Sequence, residues 1–232
     1  MQIILGVLTE GLVYAILSLG VYITYKILDF PDLSVDGTFP LGAAVTVAMI
    51  LLGAPIPLAM LVATAAGVIF GVVTGIINVK FKIRDLISGI IVMTALYSVN
   101  LRIAGKANVP LFSKQTLFEN DVLAKIFPEG MRQYSNLIIL IVIVLIAKIL
   151  LDFYLKTKSG FLLRAVGDND VLVTSLAKDK GNVKILGLAI ANGLAALAGS
   201  VYCQMNGFFE ISIGTGTVVI GLANVIIGIS LV

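Results

Sequence analysis

Glu10, Tyr14, Ser18 and Tyr22 follow Gly6 at intervals of four residues, which puts a carboxylate and three hydroxyls on one slowly drifting stripe of an otherwise aliphatic helix. Such a stripe does not belong against lipid. An ionisable Glu10 inside a spanning helix is costly unless it faces protein or water. The stripe therefore reads either as part of the path of a polar solute, or as a hydrated carboxylate near the outer surface with tyrosines bonding to neighbouring helices.

A second group lies between Pro31 and Pro40, where Asp32-Leu33-Ser34-Val35-Asp36-Gly37-Thr38 is acidic and turn-rich. The apolar run that follows, Phe39 to Leu52, supplies about 14 residues and so roughly 21 Å of helix. That is too short to cross alone a hydrocarbon core of about 30 Å. Non-helical backbone entering the membrane under the cover of protein would aim the next helix's N–H groups at a cavity. There they hold the carboxylate of a small zwitterion while Asp32 or Asp36 meets its ammonium. The plainer alternative is that Asp36 or Thr38 caps the second helix in cytoplasmic water. Tyr97, Asn192 and Asn224, on later apolar segments, complete the candidate pathway set. Most polar groups of this kind bond between helices, at about 1 kcal/mol or less each.

The polar stretch Lys156 to Lys184 separates two membrane-length apolar runs. Ser159-Gly160 is expected to end the helix before it, and Asp168-Asn169 forms a ready N-cap. Val171, Leu172, Ser175 and Leu176 then give a short apolar face suited to a groove on a soluble partner. Arg164, Gly167, Asp168, Asn169, Leu172 and Leu176 are the candidate docking residues.

The elements that position these groups follow from composition. The chain has 232 residues, 59% of them hydrophobic and 12% charged, with a mean hydropathy of +1.09. Repeated apolar runs of about 20 residues define an all-α polytopic helical membrane protein, a bundle with about seven to eight transmembrane helices in one transmembrane domain over residues 1–232. Expected spans are Ile3 to Lys26, Phe39 to Leu52, Pro57 to Val79, Leu86 to Ile103, Asn136 to Leu155, Val183 to Gln204 and Thr215 to Val232. With the seventh run ending at Val232, a further C-terminal helix is expected to be missing. Gly67, Gly71 and Gly75 repeat every four residues and let another helix approach closely. In the external loop of about 102–135, Thr116-x-x-Glu119 resembles a capping box leading into a short amphipathic helix with Phe118, Val122, Leu123, Ile126 and Phe127 at helical spacing.

With the N-terminus outside, Lys26, Lys80, Lys82, Arg84, Lys156, Lys158, Arg164, Lys178, Lys180 and Lys184 fall on the cytoplasmic side. They outnumber Arg102, Lys106, Lys114, Lys125 and Arg132 on the other, as the positive-inside bias requires. The first run is too long, and lacks the basic n-region, for a cleavable signal peptide. There is no His and one cysteine, Cys203, which leaves no zinc, haem or paired-disulfide constellation. No phosphate loop occurs, and no nucleophile, base and orienter set. The small net charge of +3, carried in loops, speaks against nucleic acid.

Three strings carry a family resemblance: Gly11-Leu12-Val13-Tyr14-Ala15-Ile16-Leu17-Ser18-Leu19-Gly20, Ile27-Leu28-Asp29-Phe30-Pro31-Asp32-Leu33-Ser34-Val35-Asp36-Gly37, and Gly160-Phe161-Leu162-Leu163-Arg164-Ala165-Val166-Gly167-Asp168-Asn169. In this order they resemble the permease subunits of branched-chain amino acid type ATP-binding-cassette (ABC) importers, over about Leu5 to Ile227. Ser34-Val35-Asp36-Gly37-Thr38-Phe39 looks most like the tryptophan/tyrosine-type permeases among them. The closing Gly228-Ile229-Ser230-Leu231-Val232 departs from the family in lacking an acidic residue after the glycine. The resemblance implies a multi-pass permease of a bacterial plasma (inner) membrane, pairing with a second permease copy as a homodimer. It also implies an ABC ATPase subunit that holds ATP-Mg, a coupling helix over Arg164 to Ala177, and an extracytoplasmic substrate-binding protein. This chain itself would carry no cofactor and would not be an enzyme. An aromatic or branched-chain amino acid is the expected cargo. The alternatives are another small polar solute, such as a nucleoside or sugar, or an ion-coupled carrier acting without an ATPase.

Overall fold

The computed structural model describes residues 2–112, 114–120, 132–168 and 180–231. The described elements are α1 (Gln2–Tyr22), continued by a π-helical turn (Ile23–Ile27), α2 (Val35–Leu51), α3 (Ile56–Phe81), α4 (Asp85–Ala104), β1 (Asn108–Pro110), α5 (Arg132–Leu155), α6 (Lys158–Asp168), α7 (Lys180–Asn206), β2 (Phe208–Glu210), a 3-10 turn (Ile211–Gly214) and α8 (Thr217–Ser230). Six helical stretches among the described residues are long and apolar enough to cross a membrane, the last combining the 3-10 turn with α8. All seven expected spans are present as helices, with edges displaced by a few residues.

The bundle is built around α7. About 67% of its apolar stretch is buried, against 33% or less for the other five long stretches, and it packs on α1, α2, α3 and α6. Small residues make this possible. A side chain at Gly67, Gly71 or Gly75 of α3 would run into Asn192, Leu188 or Ile185 of α7, and one at Gly42 of α2 into the Ala196 carbonyl. Lipid gives no hydrophobic drive for helices to associate, so close backbone approach and van der Waals contact must supply it. The Thr46 hydroxyl adds a polar tie by donating to Ser200 Oγ at 2.7 Å.

Residue pairs across α7 fix the directions of its neighbours. Tyr14 and Gly20 of α1 lie against Tyr202 and Ala191, and Gly67 to Gly75 of α3 descend from Asn192 to Ile185, so both run antiparallel to α7. Thr38 and Thr46 of α2 meet Asn192 and Ser200, so α2 runs parallel to it. The basic residues Lys26, Lys80, Lys82, Arg84, Lys156, Lys158, Arg164, Lys180 and Lys184 consequently gather at one end of the bundle. At the opposite end β1 and β2 pair antiparallel, with Val109 opposite Phe209.

Three local expectations change. The second helix starts at Val35 rather than Phe39, so Asp36 sits in its first turn and Pro40 lies inside it. Its 17 residues still span only about 25 Å. At the basic end, α5 stops at Leu155 and Ser159-Gly160 opens a new helix instead of closing the old one. Thr157 explains the break: its hydroxyl donates to the Tyr154 carbonyl at 2.6 Å and accepts from the Gly160 N–H at 3.2 Å, which caps α6. In the outer loop Thr116 Oγ1 accepts from the Phe118 and Glu119 N–H groups at 3.3 and 3.1 Å. Glu119 answers with its main-chain carbonyl, which accepts from the Thr116 N–H at 2.9 Å. Residues 117–120 are not helical, and the rest of the expected amphipathic helix lies outside the described residues.

Gly71→Leu is expected to lower stability by about 1–3 kcal/mol through overpacking against α7. Gly6→Leu, at a position where an added Cβ meets nothing within 4 Å, is expected to change nothing. Cys203 is buried and is the sole cysteine, so its reaction with a thiol dye during heating in detergent reads both variants.

Candidate functional site

Between the π-helical turn and α2 the chain crosses the interior without regular hydrogen bonding, and from this link into the first turn of α2 polar residues recur at every second position: Asp32, Ser34, Asp36, Thr38. Asp32 is 2% exposed, and Ser34, Thr38 and Asn192 are fully buried. Asp32 Oδ1 accepts from the Ser34 N–H at 2.9 Å and the Ser34 hydroxyl at 2.6 Å, while Oδ2 accepts from Asn192 Nδ2 at 2.8 Å. Asn192 Oδ1 in turn accepts from the Thr38 hydroxyl at 2.8 Å. Asn192 falls at the centre of α7, so this network fixes the start of α2 halfway through the bundle. Gly89 of α4 closes it from the other side, since a side chain there would strike the Leu33 and Ser34 amide nitrogens.

Asp36 reaches the opposite way, to α8. Its Oδ1 accepts from the Val218 N–H at 2.7 Å and the Thr217 hydroxyl at 2.9 Å, and its Oδ2 from the Gly216 N–H at 3.0 Å. A carboxylate is the favoured partner of these orphan donors and of the positive end of a helix dipole. The 3-10 turn is pressed in beside it, with Gly214 close to the Asp36 carbonyl and the Pro40 ring. Pro40 has no N–H to offer that carbonyl. Two short helices, α2 and α8, thus begin next to each other inside the bundle.

The remaining pathway candidates fall into separate neighbourhoods. Tyr97 joins Asp36 on the wall of a cavity of about 390 Å3, together with Met93, Asn100, Ser212 and Thr215. Ser18 and Asn224 bond to each other at 3.2 Å and border an open groove of about 820 Å3 between α1 and α8. Tyr14 packs with Phe39 and Tyr202, at ring-centroid distances of 6.4 and 6.3 Å, and Glu10 is exposed one turn outward. Asp32 and Asn192 belong to the enclosed network. Sequence reasoning did not single out Ser34, Thr38 or Thr217 as partners of the acidic residues; the alternation of polar residues from Asp32 to Thr38 was the available signal.

At the basic end, α6 turns Leu163 and Val166 into a buried cluster with Ile23, Ile27, Leu28, Phe30 and Leu188. Arg164 is exposed on the other face, and Gly167 lies against the Ile27 carbonyl. Asp168 is the last residue of this helix. Asn169, Leu172 and Leu176 lie outside the described residues. Among the described residues no group of three or more His, Cys, Asp or Glu could hold a metal ion.

Long apolar helices, small-residue packing and two helices that start inside the bundle define an all-α multi-pass membrane protein. Residues 3–230 match the family described as the branched-chain amino acid transport system permease component. The chain belongs to that family and is a permease component of an ABC-type transporter. It is 47% identical over 228 residues to a tyrosine transport system permease protein of Clostridioides difficile, covering 98% of this chain and 73% of that one. It is 38% identical to an uncharacterised protein of Rickettsia prowazekii, over 98% of this chain and 77% of the other. A guanosine ABC transporter permease protein of Bacillus subtilis is 28% identical over 148 residues, 63% of this chain and 42% of that one. No solved structure matches.

Asn192→Leu removes a donor from the buried Asp32 carboxylate and is expected to destabilise by about 3 kcal/mol or more. Asp32→Asn combined with Asn192→Leu is expected to cost less than the sum of the two single changes, because the groups share one network. The same Cys203 dye assay measures all three; additive losses would show that the groups do not act together.

Proposed function

We propose that this chain is the membrane subunit of an ATP-driven importer for an aromatic amino acid, with its N-terminus outside the cell and its basic end in the cytoplasm of a bacterium. The observation that carries the reading is the 47% identity, over nearly the whole chain, to a tyrosine transport system permease protein. The clustering of cations at one end of the bundle supports the orientation. In this reading two copies of the chain pair, an extracytoplasmic binding protein delivers the amino acid, and a separate ATPase binds and hydrolyses ATP-Mg.

The ATPase docks on the exposed face of α6 and the stretch after it, through Arg164, Asp168, Asn169, Leu172 and Leu176. The packing of Leu163, Val166 and Gly167 on the inner end of α1 gives a push on α6 a direct route to the Asp32–Asp36 link. Gly167 serves this route by close approach to Ile27 rather than by touching the ATPase. A solute then passes the ends of α2 and α8 as access alternates. The 28% identity to a guanosine permease protein keeps a nucleoside as the second reading.

Liposomes holding the permease with its ATPase, supplied with the binding protein, decide between these. Labelled tyrosine or tryptophan is expected to accumulate only with ATP inside the ATPase compartment. Uptake of guanosine alone would select the nucleoside reading, and uptake without ATP at a clamped potential would select an ion-coupled carrier. Arg164→Glu is expected to weaken ATPase association about tenfold while Cys203 stays protected; unchanged association would remove α6 from the docking surface.

A further inference from the structure

The cavity beside the start of α2 is lined by Met93, Tyr97 and Asn100 of α4, Asp36 and Pro40 of α2, and Ser212 and Thr215 before α8. One of its wall residues is incomplete. Asn100 is fully buried; its Nδ2 donates to the Gly37 carbonyl at 3.0 Å, which fixes the amide orientation. Its Oδ1 has no hydrogen-bond partner among the described residues. A buried amide oxygen left unpaired is destabilising, and in native proteins it calls for a ligand, a water or a functional reason. Tyr97, three residues earlier on the same helix face, is 56% exposed and offers an aromatic ring beside the cavity. Asp36 brings negative charge to the same wall.

We infer that this cavity is the contact site for the transported amino acid inside the membrane, with Asn100 Oδ1 accepting from the substrate's ammonium group and Tyr97 packing against its aromatic side chain. The inference rests on the importer reading above and gives it a location. The chemistry fits from three sides. Ammonium has only donors to offer and Asn100 Oδ1 is a spare acceptor. The carboxylate of Asp36 favours a cation nearby. Aromatic rings attract one another beyond the area they bury. A volume of about 390 Å3 is in the range of small-ligand cavities, about 300–1,000 Å3. Because the site lies where α2 and α8 begin, a shift of either helix alters its shape, which ties occupancy to the change of access.

The test uses the assembled transporter in liposomes, with tyrosine and its desamino analogue as probes. Tyr97→Ala, at an exposed position, is expected to raise the KM for tyrosine about fivefold to tenfold. Tyr97→Phe is expected to restore it. Asn100→Leu is expected to erase about tenfold preference for tyrosine over the analogue without the ammonium. Unaltered KM and preference in these variants would overturn the site while leaving the importer reading intact. Reduced assembly, with an unaltered KM in the fraction that assembles, would also overturn it, by assigning Tyr97 to the contact between permease copies. If the wild-type protein moves guanosine and not tyrosine, the importer reading fails first, and the site fails with it as an amino acid contact.

Discussion

Every peptide group that leaves a helix inside a bilayer must find its hydrogen bonds within the protein, and the link between α1 and α2 meets that demand with side chains set at alternate positions. Asp32, Ser34 and Thr38 turn to Asn192 at the centre of α7, and Asp36 turns to the first amides of α8. One seven-residue string therefore anchors two short helices at a depth where neither could stand alone. The buried carboxylate of Asp32 has three donors and no ion pair; among the described residues the one salt bridge is Lys148 with Asp152 on α5. Donors from a fixed amide and hydroxyl keep a polar link at that depth without introducing a second charge.

The rest of the bundle packs around this junction in two different ways. On one side the small residues of α2, α3 and α7 bring backbones together with little room to shift. On the other, the basic end is less regular: a π-helical turn, a non-helical link and a short capped helix, α6, packed against them through Leu163 and Val166. Work applied to α6 would reach Ile27 and Leu28 first, and through them the residues that set where α2 and α8 begin. The rigid layer supplies the reference against which such a movement is made.

Much of this was legible in the sequence, because membrane constraints write strong signals. Hydropathy gave all seven spans, the interval of four in Gly67, Gly71 and Gly75 marked the face that meets α7, and the shortness of the run from Phe39 to Leu52 pointed to a helix that does not cross alone. What escaped notice was pairing over long separations. Nothing local in the sequence says that Asp32 meets Asn192, or that Asp36 meets Gly216 and Val218, since both contacts depend on how helices far apart in the chain come together. The mistaken edge at Ser159-Gly160 has a different cause. Glycine there allows close approach to Tyr154 and Leu155, and Thr157, not the Ser-Gly pair, separates the two helices. Tyr97 was singled out as a polar group on an apolar helix, whereas Asn100 gained meaning only once its unpaired oxygen was visible.

Hydrogen–deuterium exchange of the transporter in lipid nanodiscs examines the junction itself. The amides of Gly216 and Val218 are expected to exchange slowly in the wild-type protein and much faster in Asp36→Ala, while those of α3 and the middle of α7 stay protected in both. Equal exchange at Gly216 and Val218 in the two proteins would mean that Asp36 does not hold α8 in place, and the idea of one acidic link anchoring two half-length helices would be wrong.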